Sequence, residues 1–263
     1  MKIAIMSTFP AILAKVFINR HYQNLERKGV SISSVIIDTQ QHKRERKFKH
    51  GIMIAKRKAV IANCSTLTSF FRIIVWKTIN RLTYVSHNDN SNNITEIITP
   101  VRVPTLNSEI AINEIRDNRP DLICLMGARI LTRTTLEKFD TKVINIHSSD
   151  PRFIRGGPEV VWEVLANRTD ITLTIHEVIA EVDAGAILLQ EDHPITYGKG
   201  LGITIQRTMH SAEEKVADLF FQAILRYKEG SLEPQYFSPG QLCVTPKIRD
   251  TLRAEYLCRK KSI

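Results

Sequence analysis

Apolar and polar positions in this chain follow two rhythms, one with a period near two and one near three and a half. Lys2 to Ser7 alternates into a buried strand. Ala11 to Lys28 carries Ile12, Val16, Tyr22 and Leu25 near helical spacing, and Gly29 ends it. Val30 to Ile37 is β-branched and predicts a second strand. Strand, helix, strand opens a parallel α/β sheet. The regular pattern resumes after Val101. Helices are expected over 107–118 and 132–139, and strands over 121–126 and 142–146. Pro158 to Ala166 predicts a helix with proline at its first position. Ile171 to Val178 alternates as a strand, with Leu173 and Ile175 on one side and Thr172, Thr174 and His176 on the other. Ala186 to Gln190 predicts a further strand and Ile203 to Tyr227 a long helix. The residues beyond that helix are expected to form a peripheral hairpin or tail. There is no internal repeat.

Charge changes the picture between these regular stretches. Of 263 residues 43% are hydrophobic, enough for a sizeable core, and the net charge is +10. The segment from Lys43 to Val85 holds eleven lysines and arginines against Glu45 alone, so it accounts for the whole excess. A basic segment on a neutral body points to a local device rather than a nucleic-acid-binding protein throughout. Within it, Phe70, Phe71, Ile74 and Leu82 recur near helical spacing among Arg72, Lys77 and Arg81. Three readings stand: a helix packed on the core or on a second subunit, peripheral contact of 43–85 with an anionic membrane, and nucleic-acid binding. Cys64, Cys124, Cys243 and Cys258 show no paired or metal-like spacing and read as reduced thiols of a cytoplasmic protein; no metal is expected. No apolar run is long enough to span a bilayer.

The candidate chemistry lies between Val143 and Gln190. Asn145 and His147 are two residues apart at a strand end, so both side chains share a face. Ligands of parallel α/β folds collect beyond the carboxyl ends of such strands. Asp183 stands in a Glu-Val-Asp-Ala-Gly loop. Taken singly, an asparagine caps a turn, a histidine in an apolar run is a hydrogen-bonded core residue, and an aspartate before a small residue and glycine forms a turn.

Together they carry a resemblance. Asn145-Ile146-His147, Arg155-Gly156 and Asp183-Ala184-Gly185, with Asp183 38 positions after Asn145, resemble the catalytic region of the formyltransferases that use 10-formyltetrahydrofolate. His176 falls where some members also have a histidine. The sequence departs from the family after His147, where Ser148-Ser149-Asp150-Pro151 brings the proline one place early. The resemblance implies a Rossmann-like, mostly parallel α/β sheet flanked by helices. Residues 1–205 would form the catalytic domain with a basic amphipathic insertion at about 41–95, and 206–263 a C-terminal helix and extension.

The resemblance also implies a mechanism. A protonated His147 and Asn145 would bind the oxyanion, each worth about 3–4 kcal/mol. Asp183 would orient the histidine and take a proton from the amine. His176 would support His147 or Asp183, or be structural. The pterin of 10-formyltetrahydrofolate would lie between Met126, Gly127, Ala128, Arg129, Ile130 and Leu131 on one side and Ile179, Ala180 and Glu181 on the other. Arg129 would face solvent or the folate tail.

The acceptor follows by elimination. Ser7-Thr8-Phe9-Pro10 has no glycine to cradle a phosphate, against a glycinamide ribonucleotide enzyme. The 80 residues after Asp183 are too few for the barrel of a methionyl-tRNA enzyme. A nucleotide-linked amino sugar for surface-glycan synthesis is therefore expected, with a homodimer as a further expectation. The alternatives are a tRNA enzyme that grips its substrate with the basic segment, and a non-catalytic relative that binds folate or a partner.

Overall fold

The computed structural model describes residues 1–39 and 97–262, with Thr68, Phe71, Ile73, Ile74, Val75 and Thr78 between them. Those isolated positions are helical, and Phe71 and Ile74 are exposed. The rest of the expected basic insertion lies outside the described residues.

Among the described residues, seven strands form one sheet. In chain order they are β1 (Lys2–Thr8), β2 (Ser31–Asp38), β3 (Val101–Val103), β4 (Leu122–Leu125), β5 (Lys142–His147), β7 (Asp170–Glu177) and β8 (Ile187–Pro194), arranged β3-β2-β1-β4-β5-β7-β8. The first five pair in parallel; β7 runs antiparallel to both β5 and β8. In β1, Ile3 and Ile5 join the cluster packed under α1 (Ile12–Arg27), while Ala4 and Met6 join the cluster on the opposite face under α2 (Glu109–Asn118). Burial on both faces leaves an apolar run here rather than the alternation expected from the sequence. The direction of winding reverses between β1 and β4, so the crevice that such folds use for ligands opens at the ends of these two strands.

Short helices α3 (Arg133–Leu136) and α4 (Glu159–Leu165) follow β4 and β6 (Ile154–Gly156). Pro158 is extended and precedes α4 instead of opening it, one place from the expected position. The long helix α5 (Leu201–Glu229) lays Ala212, Val216, Phe220 and Ala223 on the core.

The C-terminal expectation needs correction. Instead of a peripheral hairpin or tail, the chain forms β9 (Gln241–Cys243), which pairs in parallel with β6, and α6 (Ile248–Lys261). α6 packs against α4 and α5. Its buried stripe is Thr251, Ala254 and Cys258, while Ile248, Leu252 and Tyr256 face outwards. The Glu255 carboxylate accepts the Leu201 backbone N–H at 2.6 Å, capping α5, whose own Gly200 offers no side chain to do so.

Candidate active site

The last residues of β5 carry the site. Strand pleating puts Asn145 and His147 on one face, as expected from their spacing. The antiparallel neighbour sets His176 of β7 directly opposite Asn145. The loop leaving β7 folds back over this face and delivers Asp183. Gly185 permits that return: a Cβ there would collide with the Glu177 carbonyl oxygen. Asp183 itself takes a left-handed conformation, φ 46°, which aspartate tolerates better than most residues.

His147 is 3% exposed. Its Nε2–H donates to the Ile154 carbonyl at 3.0 Å. Nδ1 faces two carboxylates, Glu159 Oε1 at 3.3 Å and Asp183 Oδ2 at 3.5 Å. Burial alone would depress the imidazole pKa. Glu159 and Asp183, with the Ile154 carbonyl, outweigh burial and raise it to about 9. The ring is therefore a cation at neutral pH.

His176 behaves oppositely. Its Nδ1–H donates to the Glu177 carbonyl at 2.7 Å, which leaves Nε2 to accept from the Asn145 amide at 3.3 Å. Burial lowers its pKa despite the nearby charge of Asp183, so the ring is neutral. One N–H of the Asn145 amide is thus fixed on His176, and the other is left for the cavity that Asn145 lines.

Asp183 is held by its Oδ2, which accepts the Gly156 N–H at 2.9 Å. Its Oδ1 lies 3.5 Å from His176 Nε2, a nitrogen whose lone pair Asn145 already occupies. Oδ1 therefore has no hydrogen-bond donor among the described residues. Arg155 braces the same loop: Nη1 donates to Glu181 Oε1 at 2.8 Å and to the Val182 carbonyl at 3.0 Å. Its Nε–H donates to the Gly240 carbonyl at 2.9 Å, tying the loop to the segment before β9.

The sequence departure after His147 has a structural explanation. Ser149 donates to buried Glu163, and the Ser149 carbonyl accepts from Thr174 Oγ1 at 2.9 Å. The Asp150 carboxylate accepts from Arg152, whose charge holds its pKa below the usual range against the effect of burial. Ser149 and Asp150 brace the loop from behind; Ser148 alone of the pair of serines reaches the cavity wall.

These groups line a cavity of about 360 Å³. Gly127, Ala128, Arg129, Ile130 and Leu131 form one side, and Ile179, Ala180 and Glu181 another. Met126 is not on the wall; it is 1% exposed in the core, its carbonyl accepting from Ser7 Oγ at 2.6 Å. Arg129 leans toward buried Asp38, Nε 3.9 Å from Oδ2.

Sequence reasoning missed Glu159. It follows a proline at the start of a helix, where an acidic residue ordinarily serves the helix dipole. Nothing in its spacing signals that the helix start is folded against His147.

Relatives bear on the reading. A methionyl-tRNA formyltransferase from Streptococcus gordonii is 26% identical over 107 residues, 41% of this chain and 33% of that protein. The matched part thus spans about a third of that relative's length. A phosphoribosylglycinamide formyltransferase from Anaplasma phagocytophilum superposes with TM-score 0.57 at 16% identity, covering 92% of this chain and 96% of that one. A sugar N-formyltransferase from a Shewanella species gives 0.56 at 15%, covering 97% and 87%. HypX from Aquifex aeolicus in complex with tetrahydrofolic acid gives 0.53 at 14%, covering 98% and 34%. At these identities the structural likeness is one of fold. Residues 1–219 match the sequence profile of the formyl transferases, and with the strand order and the Asn-x-His strand end described above, this chain belongs to the formyl transferase family.

Proposed function

We propose that the protein moves a formyl group from 10-formyltetrahydrofolate to the primary amine of a nucleotide-linked amino sugar. The convergence of Asn145, His147 and Asp183 on one cavity wall carries the chemistry. The family's formyl donor is the folate, which supplies the reactive carbon. The cavity suits it: apolar Leu13, Leu125, Val178 and Met209 line a space of small-ligand size between the two loops matched to the pterin.

The residues divide the work by their hydrogen bonds. Nε2 of His147 is anchored on Ile154, so Nδ1 is the working edge. Its two carboxylate neighbours, at 3.3 and 3.5 Å, are ion pairs rather than tight hydrogen bonds. The Nδ1 hydrogen and the second amide hydrogen of Asn145 are thus placed to receive negative charge developing on the formyl oxygen. Asp183 Oδ1, without a donor of its own, takes the proton the amine loses as its nitrogen bonds to the formyl carbon. The bond from that carbon to the folate nitrogen then breaks, and that nitrogen takes up the proton held by Asp183, which restores the carboxylate.

One observation favours the amino sugar. The turn from Thr8 to Ala11 contains no glycine, and it exposes Phe9 where a phosphate cradle would need close backbone approach. The Streptococcus gordonii match supports a second reading, methionyl-tRNA as acceptor, with the basic segment gripping phosphates. Contact of residues 43–85 with an anionic membrane and pairing of two copies belong to the first reading.

The test is a formyl-transfer assay with 10-formyltetrahydrofolate and a panel of nucleotide-linked 3- and 4-amino sugars, initiator tRNA and glycinamide ribonucleotide. Tetrahydrofolate release with one amino sugar is the expected result. Turnover with tRNA alone would replace the first reading by the second.

A further inference from the structure

We propose that Glu159 is a positioning residue for this reaction: its carboxylate holds the imidazolium of His147, so that Asp183 is left to act on the amine. The proposal rests on the reading of the site given above.

The geometry around the ring carries it. Both ring nitrogens of His147 face only oxygen acceptors: the Ile154 carbonyl on Nε2, and Glu159 and Asp183 on Nδ1. A lone pair on either nitrogen would point at an oxygen, so the doubly protonated ring is the form that fits. That cation needs a lasting counter-charge. Asp183 cannot provide it throughout, because a carboxylate that accepts the amine proton becomes neutral just when the cation is required at the formyl oxygen. Glu159 can. It is the nearer carboxylate, it is on a helix rather than in the returning loop, and it makes no other hydrogen bond or ion pair among the described residues.

The other charged or titratable groups facing the ring do not take this part. Glu163, also on α4, is committed to Ser149 and Arg168. His176 on β7 meets the ring edge-on, centroids 6.4 Å apart, and is neutral. Two carboxylates on one nitrogen would be redundant in a structural histidine. At a site where one of them is consumed by proton transfer, the pair has a purpose.

The test follows His147 by NMR titration in the free protein, in wild type, Glu159→Gln, Glu159→Asp and Asp183→Asn. The wild-type ring should titrate near pH 9. In Glu159→Gln the midpoint should fall by about 1–2 units, and Glu159→Asp should restore part of it. In the formyl-transfer assay, Glu159→Gln should move the alkaline limb of the kcat profile to lower pH by the same amount, with KM for the folate unchanged. Asp183→Asn should lose turnover at every pH. An unmoved His147 titration in Glu159→Gln, with near-UV circular dichroism confirming the fold, overturns the proposal. Because the titration needs no substrate, it stands or falls separately from the assignment of the reaction.

Discussion

The two ends of the cavity are built differently. At the inner end, β5 and β7 hold Asn145, His147 and His176 on strands in register, and the returning loop holds Asp183 through the Gly156 N–H. Beside the outer end, the turn after β1 exposes Phe9, its Thr8 N–H donates to the carbonyl of Gly127 on the cavity wall at 3.3 Å, and Thr8 Oγ1 is buried without a hydrogen-bond partner among the described residues. The inner end is preorganised and the outer end adaptable. Chemistry shared by a family can be written into strand register, because the hydrogen-bond ladder fixes each side chain. In the reading proposed above, acceptor choice belongs to a turn, where no ladder constrains it.

That contrast can be broken by substitution. Asp183→Asn keeps the shape of the inner end and removes its base; kcat should fall by about 10³-fold or more, with folate binding retained, measured by turnover and by folate titration. Activity within tenfold of wild type would mean the inner end is not the reaction centre. Gly185→Ala forces a Cβ into the Glu177 carbonyl and displaces the loop that carries Asp183. It should cost about 2 kcal/mol in urea unfolding and lower kcat roughly a hundredfold, since misplacing a reacting group is expensive.

A third expectation concerns pH. Because the His147 pKa is raised to about 9, activity should be flat through neutrality and drop about tenfold per unit above that value. The sign for stability is the same. Protonation of His147 favours the fold fully below its unfolded pKa of about 6.5, and that contribution is lost as pH rises through about 9, which urea midpoints across the range would read. Phe9→Ala should do least. It should change KM for the acceptor a few-fold, with kcat, folate KM and stability nearly untouched, the last within about 0.5 kcal/mol. A large loss of kcat there would erase the distinction between the two ends.

What the sequence disclosed follows the same line. β1, α1, β5 and β7 were legible because large apolar residues mark their buried faces. Asn145 and His147 were legible because a period of two puts them together. α6 was not, because its buried stripe is Thr251, Ala254 and Cys258; close packing on α4 and α5 selects small residues there and leaves Leu252 and Tyr256 outside. Periodicity searches for the large residues and finds the wrong face. Glu159 was hidden for another reason. Its role depends on where a helix start meets a strand end, a contact between elements that no local pattern encodes. The neutral state of His176 was equally hidden, since it depends on burial outweighing the Asp183 charge and the Glu177 carbonyl, both of which favour the cation.

The Arg155 bridge to Gly240 has a consequence for the order in which the protein comes into being. A ribosome delivers Asn145, His147 and Asp183 well before Gly240 and β9. Until these emerge, Arg155 lacks one of its anchors and β6 lacks its paired strand. A nascent chain halted near residue 230 therefore carries all three candidate reacting groups, while its Arg155 is held by Glu181 and Val182 alone.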